Sequence, residues 1–193
     1  MGGRRWLALG LAWLLGCGTR QEPVYEDDQG FRLTPPPGWV ERARPDAVPA
    51  APAHGRQRGQ GYPDVPLPPV GTLGRPGPER FLARYDRLAA GGRAWLRVTA
   101  ADVPESTPLA TCLPPQGGIP KWKREGEAES LEVSGLPAAR VAWAGRWDNE
   151  DYLTETVAVR KAGKVYFISA SFPAADAAAR EQVRQSVAGA VWK

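Results

Sequence analysis

Tyr152-Leu153-Thr154-Glu155-Thr156-Val157-Ala158-Val159-Arg160, then Ala162-Gly163, then Lys164-Val165-Tyr166-Phe167-Ile168-Ser169-Ala170-Ser171-Phe172 decide the fold. Both runs are rich in β-branched and aromatic residues, and the Ala-Gly pair between them supplies the reversal of a hairpin. In the second run Val165 and Phe167 occupy one face, Tyr166 and Ile168 the other, and all four are apolar. Because successive side chains point to opposite faces, such a strand must be central in a sheet and covered on both sides.

Upstream, Asp148-Asn149-Glu150-Asp151 reads as a turn. Before it, Ser130–Val133 and Ala138–Trp147 read as strands broken at Gly135 and Pro137, with Ala139, Val141 and Trp143 alternating against Arg140 and Ala142. Downstream of Pro173, Ala179, Val183, Val187 and Val191 recur at intervals of four, predicting an amphipathic helix that runs nearly to the last residue and packs on the sheet. Arg80–Leu88 and Ala94–Ala100 predict another hairpin around Gly91-Gly92, with Phe81, Ala83 and Tyr85 sharing a face. Thr107-Pro108 ahead of Leu109, Cys112 and Leu113 predicts a short helix, threonine as cap and proline in the first helical position, stopped by Pro114-Pro115. Lys121–Glu129 is charged and fits either a loop or an edge strand.

The domain is expected to open at Gly30-Phe31-Arg32-Leu33-Thr34, followed by the turn Pro35-Pro36-Pro37-Gly38 and by Trp39 entering the core. Residues 45–78 are crowded with Pro, Gly and Ala, show neither helical nor strand period, and read as a loosely held insertion. The element order is that of an α+β domain: an antiparallel β-sheet with helices packed on its faces.

The start of the chain carries a different signal. Arg4-Arg5, the apolar run Trp6–Leu15 and Leu14-Leu15-Gly16-Cys17 have the form of an export signal, too short to span a hydrocarbon core of ~30 Å. A small residue before a cysteine, preceded by leucines, resembles the lipobox of bacterial lipoproteins, which implies cleavage between Gly16 and Cys17 and acylation of Cys17. The expected organisation is a removed signal at 1–16, an acylated tether at 17–29 carrying Glu26-Asp27-Asp28, and one domain at 30–193. Gly18 after the cysteine is not the aspartate that retains some lipoproteins, which points to the periplasmic face of the outer membrane in a diderm cell. With Cys17 committed to lipid, Cys112 has no cysteine partner and reads as a small core residue; the alternative is a Cys17–Cys112 disulfide.

The formal net charge of +4 falls to +2 once Arg4 and Arg5 are removed, and no basic stripe is present, so a nucleic-acid partner is not expected. The single histidine, His54, lies in the Pro/Gly-rich stretch, away from any ordered partner that a Ser-His-Asp, Cys-His or zinc site needs. No Gly-x-Ser-x-Gly or phosphate-binding loop occurs. No metal, cofactor or catalytic residue is expected. The acidic turn at Asp148–Asp151 lacks the ligand spacing of an EF-hand and reads as a solvated hairpin tip. Lys121-Trp122-Lys123-Arg124 places an aromatic ring among cations, and Trp147 stands beside a polar turn; these are the candidate partner surface.

The quoted hairpin, the Phe31–Trp39 opening, the stretch Val133-Ser134-Gly135-Leu136-Pro137-Ala138-Ala139-Arg140-Val141 and the closing Val191-Trp192 together resemble bacterial PsbP-like domains. That resemblance implies an antiparallel sheet between helices and an accessory or partner-binding role at a membrane, with no catalytic residues to carry over. The expected function is a membrane-anchored, non-catalytic envelope module that binds another envelope protein. Alternatives are a small-ligand or glycan-binding lipoprotein and an enzyme using carboxylates or a Ser-Lys pair.

Overall fold

The computed structural model describes residues 25–27, 30–43, 79–89, 92–113 and 122–192. The export signal with Gly16 and Cys17, the Pro/Gly-rich stretch with His54, and Lys121 lie outside the described residues.

Seven antiparallel strands form the main sheet in the order β3-β4-β5-β9-β8-β7-β6: β3 (Val40–Ala43), β4 (Arg80–Ala89), β5 (Gly92–Asp102), β6 (Lys123–Val133), β7 (Leu136–Trp147), β8 (Glu150–Lys161) and β9 (Lys164–Pro173). The hairpin that decides the fold is β8–β9, with Val157 opposite Ile168 and Val159 opposite Tyr166. β9 is fourth of the seven, and Val165 to Pro173 are all buried. Asp148 and Asn149 both take positive φ, the geometry of a two-residue turn whose twist matches its strands, and close the β7–β8 hairpin.

One face of the sheet carries Leu96, Val98, Ile168 and Ala170 against helix α2 (Ala177–Ala188) and a small sheet of β1 (Tyr25–Glu26), β2 (Phe31–Leu33) and β10 (Val191–Trp192), ordered β1-β2-β10. Phe31 is at the centre of that cap, its ring 5.0 Å from those of Tyr166 and Trp192. The other face carries Val141, Trp143, Ala158 and Phe167, packed with Cys112 and Leu113 at the end of helix α1 (Leu109–Cys112). Arg160 fixes the approach to α1 by donating to the backbone carbonyls of Pro104, Glu105 and Thr107.

Several expectations are corrected. The four-residue spacing does not continue to Val191: α2 ends at Ala188, the Gly189 N–H bonds back to Gln185 O, and Val191–Trp192 pairs with β2 instead. Trp192 then covers Phe31, while Val191 is exposed. The ordered domain begins before Gly30. Tyr25 is buried, Glu26 pairs with Arg32 at 3.2 Å, and the Asp27 carboxylate accepts from Phe31 N and from Tyr166 OH, so these two acids are structural rather than tether charge. A bulge at Leu82 separates Phe81 from the face that Ala83 and Tyr85 share. Pro108 is the N-cap of α1 and not its first helical residue, and no side chain caps it. Among the described residues the second face of the sheet carries only this four-residue helix, so the architecture is antiparallel sheets with few helices rather than a sheet between two full helical layers. The stretch Lys121–Glu129, ambiguous in sequence, belongs from Lys123 onward to the edge strand β6, which continues through the expected strand Ser130–Val133. No helix among the described residues is long and apolar enough to cross a membrane.

Candidate functional site

Helix α2 is anchored at its start by Asp176, whose side chain accepts from Ala179 N and also pairs with Arg87. Its buried stripe, Ala179, Val183 and Val187, faces the sheet. Arg180 and Arg184 stand one turn apart on its flank and converge on Glu155 of β8, a carboxylate only 4 % exposed. Arg180 Nε donates to Glu155 Oε1 at 2.7 Å; Arg184 donates from Nη2 to Oε1 at 2.9 Å and from Nε to Oε2 at 3.3 Å. Burial alone would raise the Glu155 carboxyl. The hydrogen bonds and charges of Arg184 and Arg180 outweigh burial and hold it below the usual carboxylate range.

Next to this triad, between α2 and strands β6 to β9, lies a groove of about 230 Å³. Its floor is Val157 and Ile168, its walls Leu131 and Val133 on one side and Val183 and Val187 on the other, with Arg140 and Arg184 at the mouth. Arg140 is turned toward its ladder partner Glu129, donating from Nε at 3.1 Å. A smaller, polar recess of about 90 Å³ adjoins it, shared by Arg140, Glu155 and Arg184 and edged by Glu125, Glu127 and Glu129. The β6 register shifts between Glu125 and Glu129, where Gly126 adopts φ +77°. The groove is thus aliphatic below and charged above. Its one buried carboxylate is already neutralised, so it presents shape and apolar surface rather than a reactive acid.

The residues expected to form a partner surface are brought together only in part: Trp147 packs against the α1-face cluster that holds Trp122. Strand alternation sends Trp122 and Arg124 to the α1 face and Lys123 to the α2 face. Trp122 is only 8 % exposed and lies flat over Gly145, which corrects its reading as a contact residue: it is core. Arg124 is mostly buried and pairs with Glu127 at 3.7 Å, while Lys123 is exposed. Trp147 is half-buried, edge-on to Tyr152 at 5.8 Å. Lys121 lies outside the described residues. Cys112 packs in the core with its thiol 3.6 Å from Pro108 O. Among the described residues no three His, Cys, Asp or Glu side chains are grouped as a metal site.

Sequence reasoning missed the groove, although one signal pointed to it. Glu155 interrupts the otherwise apolar row Leu153, Val157 and Val159 on one face of β8, and two arginines one turn apart in the closing helix are the natural counter-ions for a carboxylate held there.

No protein-family model matches the chain, and no curated protein matches its sequence. Among solved structures, cyanobacterial PsbP (CyanoP) from Synechocystis sp. PCC 6803 aligns over 92 % of this chain and 96 % of its own, at 13 % identity and a TM-score of 0.53. LpqN of Mycobacterium tuberculosis, described as involved in cell envelope biogenesis, aligns over 58 % of this chain and 78 % of its own at 10 % identity and a TM-score of 0.42. PA94 of Pseudomonas aeruginosa, a protein of unknown function described as a putative regulator, covers 80 % of this chain and 97 % of its own, at 12 % identity and a TM-score of 0.45. The fold is similar to that of PsbP.

Proposed function

We propose that this chain is an envelope lipoprotein, anchored through acylated Cys17, whose PsbP-like domain is a non-catalytic accessory module that binds an envelope protein in the groove beneath α2. One observation carries the reading: an aliphatic groove whose buried polar groups already satisfy one another. Its volume, about 230 Å³, is below the ~300–1,000 Å³ common for sites that engulf a small molecule, which favours an apolar side chain projected by a partner over a whole ligand. A glycan platform draws less support, because the apolar part of the lining is aliphatic and contains no tryptophan. Catalysis draws little as well: Glu155 is held ionised by two arginines, the reverse of what a general acid requires.

In-cell crosslinking of the anchored protein, followed by mass spectrometry, tests it. Ala188 lines the groove from an exposed position, so Ala188→Trp obstructs it without entering the core. Capture of one dominant envelope protein is expected from the parent chain and from the control Ala178→Trp on the exposed side of α2, and loss of capture from Ala188→Trp. Equal capture by all three rejects the groove; no reproducible protein shifts the weight to a small ligand. Separately, Cys17→Ser should leave the protein soluble or uncleaved, and unchanged membrane fractionation would reject the anchor.

A further inference from the structure

The polar recess beside the groove carries more acid than base. Glu125, Glu127 and Glu129 of β6 edge it, and Glu155 shares it with Arg140, Arg180 and Arg184. All three guanidiniums are already committed: Arg180 and Arg184 hold Glu155, and Arg140 holds Glu129. Glu127 meets a cation only at 3.7 Å, in Arg124 of the α1 face, and its side chain is 99 % exposed. Glu125 pairs with no cation among the described residues. Its ladder partner is Ala142, which sets it on the α2 face of β6 together with Lys123, opposite Ala144. Lys123 is exposed, lines neither the groove nor the recess, and forms no ion pair with Glu125. Beside an aliphatic floor, the recess thus presents two carboxylates that its own arginines do not answer.

We infer that the partner segment seated in the groove is basic: it sets one branched aliphatic side chain against Val157 and Ile168 and a Lys or Arg side chain among the β6 glutamates. This rests on the reading of the groove as a protein-binding site and adds the chemistry of its occupant. The two halves of the contact are a short step apart. Leu131, a wall of the groove, is two residues from Glu129 and four from Glu127. At about 3.3 Å per strand residue, the cation is about 7–13 Å from the aliphatic anchor, a span of two to four residues in an extended segment. An acidic segment would meet the reverse. Only Arg140 and Arg184 at the mouth could attract its carboxylate, both are neutralised, and Glu125 and Glu127 would repel it. The contact uses the α2 face of β6 and leaves its backbone edge alone.

The test uses the full-length chain in a neutral detergent and three end-capped peptides, Leu-Ser-Lys-Ser-Lys, Leu-Ser-Glu-Ser-Glu and Ser-Ser-Lys-Ser-Lys, at matched ionic strength. Binding is followed by NMR of the labelled methyl groups of Val133, Val157, Ile168, Val183 and Val187, which line the groove. The leucine-lysine peptide should shift these methyls and bind about threefold to tenfold more tightly than its glutamate counterpart, the scale of one or two exposed charge pairs. Added salt should narrow that difference. The peptide without leucine should leave the methyls unmoved. Glu125→Lys should erase the preference and Lys123→Glu should enlarge it; both positions are exposed, so neither change enters the core. Equal affinity for the two leucine peptides, with shifts that Ala188→Trp abolishes, keeps the groove and overturns the basic partner. A preference for the glutamate peptide, or a lysine preference that Glu125→Lys leaves unchanged, also overturns it. No methyl shift with either leucine peptide overturns the groove reading and this inference together.

Discussion

Gly145→Ala is a single added methyl whose cost can be worked from the structure. A Cβ built on Gly145 would be 2.3 Å from Trp122 Cδ2, 2.6 Å from Cε2 and 2.7 Å from Cε3. Carbon atoms pack at about 3.5–4.0 Å, so the indole must retreat by about 1 Å or more. The ring is 8 % exposed and packed in the α1-face core, which leaves it little room to do so. Gly145 shows no positive φ, so backbone conformation adds nothing and the penalty is steric: about 1–3 kcal/mol, the range for overpacking. Trp122→Ala alone should cost about 3–5 kcal/mol through lost burial and the cavity it leaves. In that background the obstacle to Gly145→Ala is gone, and the substitution should be neutral or stabilising by about 0.4–1 kcal/mol, because alanine restricts the unfolded chain. Chemical denaturation of the four chains of this double-mutant cycle, followed by circular dichroism, measures the difference. A coupling above about 1 kcal/mol is expected. An equal cost of Gly145→Ala with and without the indole would refute the contact, and with it the assignment of Trp122 to the core.

The triad under α2 predicts a pH response. The folded Glu155 carboxyl is held below its ordinary value, so its contribution is complete above the unfolded pKa and is lost as pH falls through the folded one. Glu155→Gln should flatten that part of the acid limb in urea melts taken across pH. It should also cost about 1–3 kcal/mol at pH 7, toward the low end because Arg180 and Arg184 are 35 % and 38 % exposed and can rehydrate. On the other face, Thr154→Val should cost about 1–3 kcal/mol by stranding the Ser171 hydroxyl, whereas Thr154→Val with Ser171→Ala should cost clearly less than the sum of the singles; additive costs in thermal melts would show that the buried pair is not coupled.

What was legible in the sequence followed from strong periodicity. Val165 to Ile168, apolar on both faces, required a central strand, and β9 has that position. The closing helix was legible as far as Val187. Beyond it, Val191 satisfied the same spacing by coincidence, because a four-residue interval cannot register that Gly189 ends the helix or that Trp192 has Phe31 to cover. β6 was ambiguous because an edge strand spends its exposed positions on Lys123, Glu125, Glu127 and Glu129, charges that discourage pairing with another chain and also erase the alternation a reader depends on. The groove is assembled from β6, β7, β8, β9 and α2. That assembly is not local, so no window of sequence contains it.

The order β3-β4-β5-β9-β8-β7-β6 divides the large sheet into two meanders, each built from neighbours in the chain, that meet only where β5 runs beside β9. Within a meander every pairing except β3–β4, which closes over residues 44–79, is local and quick; the longest loop closure of the large sheet falls on the junction that sets Leu96 against Ala170 and Val98 against Ile168. Before that junction forms, each half carries a naked, strongly apolar border strand, the configuration most prone to join a stranger. The domain is therefore its own chaperone at one line: the same edge that would draw either half into an aggregate is, in the finished molecule, the middle of the sheet.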